Sequence, residues 1–321
     1  MKNFLKFIWS GLFSNQAVLD NKNRNLYQAF IVLLISLVVA VVPVLSATLG
    51  TNGSDILTNS KNGSLDVSLN LFSKYLSEDD SANFYTTNDG KYVASGFKEK
   101  VITDSTGKHL LTVYAADNGE VLTDIVTKYT NGYVDETTKI SEKPRSLMLI
   151  SDDVLYIYVF AGDAKNEIKD GAIKKSATPT NTYLGYATEY KEVNFQDFYK
   201  NELGGDQYGL DQWKKALNKM YEPYKQASVL YNCSIHLVLD VIIAFTMTLI
   251  IFILTRLKSN QCEKLTLNQS LKCVCFSSLS PAIVAWLISV LIPTLGSVGF
   301  IMCLGIRCVF LGSKAANVTK L

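Results

Sequence analysis

Asp240 is the residue whose type and place most demand a chemical explanation. It interrupts residues 233–255, CSIHLVLDVIIAFTMTLIIFILT, a stretch with no other acidic or basic residue apart from His236. A carboxylate at the centre of a membrane span costs about 2.5–3.5 kcal/mol on insertion scales, and less near an interface. His236 lies at i−4 and Thr248 two turns onward, so all three share one helical face. Two readings stand open. One is a polar site between helices, for an ion, a proton or a partner's cation. The other is an interface-level carboxylate that reaches outer water, paired with His236.

The remaining reactive residues form no constellation. His109 and His236 are the only histidines, which leaves too little for a zinc site or a Ser–His–Asp triad. Ser95-Gly-Phe-Lys98 has the S-x-x-K spacing of penicillin-interacting enzymes, but the S-D-N and K-T-G partners are missing, so it reads as chance. Gly107-Lys108 lacks the flanking residues of a phosphate-cradling loop. Cys273-Val-Cys275, with Cys262 nearby, has no second Cys or His pair and reads as small apolar packing. The expectation is a non-enzyme with no cofactor and no metal.

The elements that carry these residues are set by hydropathy. Residues 29–49 are 21 in a row without a charge, long enough at about 1.5 Å per residue to cross a hydrocarbon core of about 30 Å. This run exceeds a signal-peptide core and is preceded by 28 residues, so it reads as an uncleaved anchor. Residues 233–255 form a second span. From Cys273 to Ile306 no residue is charged, and Pro293 to Gly299 carries turn chemistry, which predicts a helical hairpin of 273–292 and 296–312. Four spans result.

Charge orients them. Lys2, Lys6, Lys22 and Arg24 precede the first span, Lys258, Lys264 and Lys272 fill the 256–272 loop, and Lys314 and Lys320 lie in the 313–321 tail. The positive-inside rule makes all three cytoplasmic. Arg307, inside the fourth span, is expected to snorkel to the cytoplasmic face. Residues 51–230 then lie outside, with 26 acidic against 20 basic residues, while the remainder has 3 against 11. The net +2 is therefore +8 near the membrane and −6 outside it. A net basic charge at the membrane ends and a net acidic one in 51–230 argue against a nucleic-acid partner and for the lipid bilayer.

The outer segment is large enough for its own core. A Gly/Ser/Asn-rich linker (51–64) leads to a helix with Leu65, Leu69, Phe72 and Leu76 on one stripe, ending near Asp79. Residues 109–116, 120–129 and 154–160 are β-branched and aromatic and are expected as strands of a small antiparallel sheet, punctuated by Asn88-Asp89-Gly90, Asp117-Asn118-Gly119 and Asn131-Gly132 turns. Leu210, Trp213, Leu217, Met220 and Tyr224 mark a second helix, which Pro223 should kink or end. The fold class expected is an α-helical polytopic membrane protein with an α+β extracytoplasmic domain between helices 1 and 2. Fifteen of 17 tyrosines lie in that domain, as a binding surface or as ordinary strand residues.

Ser278, Ala282, Ala285 and Ser289 recur at i, i+4, i+7, i+11, and Gly299 begins the next span, so these small residues should face inward in a packed hairpin. The 1–28 segment opens with MKNFLKFIWSGLF, expected as a short helix at the inner interface or as a docking helix for a cytoplasmic partner.

The whole layout resembles a known family. Its marks are Phe4-Leu-Lys-Phe7, Arg24 before the first span, Pro43 late in it, the strand Leu149–Ile157 and three clustered C-terminal spans. These are similar to the bacterial membrane family designated domain of unknown function 1189, found mainly in low-GC Gram-positives. The resemblance implies a multi-pass protein of the bacterial cell membrane, in some members linked to maltodextrin uptake, and it supplies no site residues. Three functions follow as expectations: an accessory to carbohydrate uptake that engages other membrane proteins such as a sugar importer, a membrane-bound sensor or regulatory scaffold, and a small transporter using Asp240.

Overall fold

The computed structural model describes residues 2–59, 65–117, 120–131, 133–134, 140–142, 146–160, 166–169, 172–173, 179–257, 264–292 and 296–315. The turn predicted at Pro293 and the second halves of the two Asn-Gly turns at 119 and 132 lie outside them. In chain order come α1 (Lys2–Phe13), α2 (Asn15–Asp20), α3 (Leu26–Gly50), α4 (Asp55–Asn59) and α5 (Leu65–Glu78). Next are β1 (Asn83–Thr86), β2 (Tyr92–Ser95), β3 (Glu99–Thr103), β4 (His109–Ala115), α6 (Leu122–Asn131), β5 (Tyr133–Val134), β6 (Ile140–Glu142), β7 (Ser146–Ile150) and β8 (Val154–Phe160). Then follow β9 (Asn166–Lys169), β10 (Ala172–Ile173), β11 (Pro179–Tyr186), α7 (Asp206–Leu257), α8 (Leu267–Ser277), α9 (Leu279–Leu291) and α10 (Gly296–Ala315). The chain divides into a helical unit, Met1–Gly50 with Ser228–Leu321, and a sheet unit, Thr51–Ala227.

Four helical stretches are long and apolar enough to cross a membrane: α3, α7, Leu267–Leu291 and Val298–Ala315. The third differs from the expected single span of 273–292. It starts earlier, with Thr266 and Gln269 forming a capping box at α8, and it breaks at Ser278 into α8 and α9. The break follows from Pro281, which has no N–H for the Ser277 carbonyl one turn back.

The sheet unit has a five-stranded sheet in the order β11-β8-β7-β4-β3. It is mixed rather than antiparallel as expected, because β4 and β7 pair in parallel, Leu111 opposite Ser146 through Ala115 opposite Ile150. A parallel pair needs a crossover, and the chain between the two strands includes α6. Residues 120–129 were expected as a strand; Leu122–Asn131 is instead helical. Leu122, Ile125, Val126 and Tyr129 recur at i, i+3, i+4, i+7, and this period prevails over β-branched composition.

Strand alternation feeds two cores. Met148 and Ile150 of β7 join Leu69, Phe72, Trp213 and Leu217 on one face, while Leu147 and Leu149 join Ile125 and Tyr129 on the other. All five β7 residues are buried, as befits a central strand covered on both faces. Pro223 does not end the second helix: α7 continues through it to Leu257. One hydrogen bond is lost there, but Trp213, Leu217 and Met220 are fully buried and hold the turns before it. The expected linker also contains structure, since α4 buries Ile56 and Leu57 in the main core.

Candidate functional site

The sheet unit contains a cleft of about 600 Å³. Its walls are Tyr92–Ala94 of β2, Gly96–Lys98 between β2 and β3, Ala115–Asp117 from the end of β4 onward and Ile150–Asp152 from the end of β7 onward. Ala115 and Ile150 are the last pair of the parallel ladder, so the cleft lies at the carboxyl ends of β4 and β7. Only this one pair of the sheet is parallel, and beyond it the chain leaves β4 for α6 and β7 for the antiparallel hairpin with β8.

Main-chain hydrogen bonds set the shape of the cleft. Ala116 N–H donates to Ile150 O at 2.8 Å, Ala115 N–H to Lys98 O at 2.9 Å and Tyr92 N–H to Asp152 O at 2.6 Å. Gly96 has φ +81°, and a Cβ there would lie 2.0 Å from Ser81 O, so the wall closes only with glycine.

The polar group at the rim is Lys98. Its ammonium is 2.5 Å from Asp117 and 2.8 Å from Glu120. Glu120 accepts from the Tyr114 hydroxyl at 3.0 Å and from Asp117 N–H at 2.8 Å. Desolvation draws the Lys98 pKa down, but the hydrogen bonds it donates to Asp117 and Glu120 outweigh this and hold the ammonium above its ordinary value. The Lys98 and Asp117 bonds keep Glu120 below the usual carboxylate range. Lys98 and Asp117 thus place a cation and a carboxylate at the cleft rim, which can orient a polar ligand.

In the helical unit Asp240 is 3% exposed. No hydrogen bond or ion pair joins it to the half-buried His236 among the described residues, although both lie on one side of α7. Ser278, Ala282, Ala285 and Ser289 are all buried. Gly299 faces Ala285 across α9 and α10, where a Cβ would sit at an ordinary 3.6 Å. Ser278 Oγ donates to Ser36 Oγ at 2.8 Å, which ties α3 to the break between α8 and α9.

Arg307 is half-buried and engaged by its neighbours. Its guanidinium donates to Ser277 O at 3.0 Å and to Asn15 Oδ1 at 3.3 Å, and it also meets Ser280 Oγ and Gly11 O. It thereby serves carbonyls at the C-terminal ends of α8 and α1, where the helix dipole favours a cation. Two signals for this joint were present in the sequence, a proline and an arginine within apolar helices; only their pairing was hidden.

No family model, no curated protein and no solved structure matches this chain. None of these comparisons identifies the family that the layout resembles.

Proposed function

We propose that this chain is a non-enzymatic, multi-pass protein of a bacterial cell membrane whose sheet unit faces the cell exterior and receives a ligand or partner in its cleft. Under this reading the four apolar helices span the bilayer, and both termini and the basic 256–272 loop are cytoplasmic. The charge asymmetry supports that orientation, with basic residues flanking the spans and an acidic balance in 51–230.

The cleft at the carboxyl ends of β4 and β7 is the observation that carries the binding role. The resemblance in layout adds a context, accessory service to maltodextrin or other carbohydrate uptake alongside an importer. A sensing role is the second reading. It draws on the packing of α1 and α2 against α8 and α10, the only cytoplasmic helices available to it among the described residues under this topology.

A thermal-shift titration of the full chain in detergent with linear maltodextrins of increasing length tests the carbohydrate role. The reading expects a saturable rise in melting temperature that is lost in Ala94→Trp, which fills the cleft. A flat response across the series contradicts it.

A further inference from the structure

The helix α1 has two faces of different fate. Phe7 and Gly11 are buried, and Phe4 and Ile8 pack beside them. The Phe7 ring meets Phe276 of α8 edge-on at 4.8 Å, with the Arg24 guanidinium 4.7 Å above it. Arg307 of α10 holds the Gly11 carbonyl. Rotation of α1 about its axis is therefore fixed by contacts with α8 and α10.

The opposite face carries Leu5, Trp9 and Phe13, 61%, 69% and 80% exposed and spaced i, i+4, i+8. Trp9 and Phe13 touch edge-on at 5.8 Å. Lys6 is exposed beside them. Residues 1–28 contain four basic residues and one acidic residue. A helix of 12 residues is roughly 18 Å long and cannot span a bilayer. It can lie along one, with aromatic residues at the acyl boundary and lysine among the headgroups.

We infer that the Leu5–Trp9–Phe13 face of α1 binds the headgroup–acyl boundary of a leaflet containing anionic lipid. The inference rests on the membrane reading above and goes beyond it, because α1 is otherwise an equal candidate for docking a soluble protein. Charge complementarity decides for lipid. The stripe of three large exposed apolar side chains carries exposed Lys6 beside it within a segment of four basic residues and one acidic residue, the combination that an anionic leaflet complements.

The test uses the full chain in vesicles of phosphatidylcholine and phosphatidylglycerol. The signal of Trp9 is obtained as wild type minus Trp9→Phe, a substitution at an exposed position that leaves the fold intact. Trp9 is expected to be quenched by lipids brominated near the carbonyls and to be about fivefold less open to aqueous acrylamide than free indole. Lys6→Glu is expected to raise acrylamide quenching. Retention after an alkaline wash with Trp9 as open as free indole would overturn this inference alone, as would unchanged quenching in Lys6→Glu. Release by the wash would overturn the membrane reading itself.

Discussion

Arg307 donates to the main-chain carbonyl of Ser277, the acceptor for which Pro281, four residues on, has no N–H. A proline within an apolar helix leaves one carbonyl without its intrahelical donor, and a buried carbonyl left unserved is costly. The arginine on the neighbouring helix supplies that donor, and its other contacts tie in Asn15, Ser280 and Gly11. Each residue is out of place in an apolar helix alone; together they form one joint.

Arg307→Ala should therefore destabilise the helical unit by about 3 kcal/mol, since hydrogen bonds to a charged group are lost and buried carbonyls are left unserved. Pro281→Ala in the same background should restore about 1 kcal/mol, because residue 281 regains an N–H for Ser277 O. Denaturation in mixed micelles of the wild type, both singles and the double measures the coupling. Strict additivity contradicts the shared acceptor.

Gly53→Ala should cost about 2 kcal/mol or more, as expected for overpacking at a backbone contact. A Cβ at Gly53 would lie 2.1 Å from Leu217 O, so α7 or the chain before α4 must move. Gly107→Ala provides the contrast: φ is +82° but nothing lies within 4 Å, so only the conformational cost of about 1 kcal/mol remains. Melting temperatures of the two variants should differ in that order.

Alkaline pH should unfold the sheet unit through its buried phenols. Tyr92 OH donates to Met220 Sδ at 2.8 Å and Tyr183 OH to Leu217 O at 2.7 Å. Burial raises both pKa values above 10.0. A raised folded pKa means the native state retains the proton more tightly. The stability it contributes is complete below the unfolded value near 10.0 and is lost as pH rises through the folded one. Absorbance at the tyrosinate band should show late phenols titrating together with loss of near-UV ellipticity. In Tyr183→Phe the alkaline loss should be shallower; an unchanged alkaline limb contradicts the assignment.

Lys98→Met should change stability by less than about 1 kcal/mol, because the ammonium and both carboxylates remain substantially exposed. Its effect should instead be on any ligand that stabilises the wild type, since Lys98 sets the charge at the cleft rim. Equal ligand response in wild type and Lys98→Met would remove the cleft from the binding role.

Much of this fold was legible where a local period is strong. Leu65, Leu69, Phe72 and Leu76 predict α5, and the alternation of 154–160 predicts β8, because one buried face repeats within a few residues. The helix α6 was hidden because Val121, Ile125, Val126 and Thr127 favour strands by composition, so propensity masked the period. The cleft was not legible at all. Its walls come from four separate segments joined by the parallel β4–β7 register, and no local pattern encodes that pairing. Asp240 was visible as an anomaly, but its burial depends on packing that sequence does not display.

The topology is the claim on which the other functional statements depend, and an epitope inserted at the Thr106–Gly107 turn tests it most directly. That turn lies between β3 and β4, and a Cβ at Gly107 would meet nothing within 4 Å. In cells expressing the full chain with this epitope and a second tag at the C-terminus, antibody on intact protoplasts should label the turn. The C-terminal tag should be labelled only after permeabilisation. Labelling of the C-terminal tag on intact protoplasts, with the turn protected, would contradict the account.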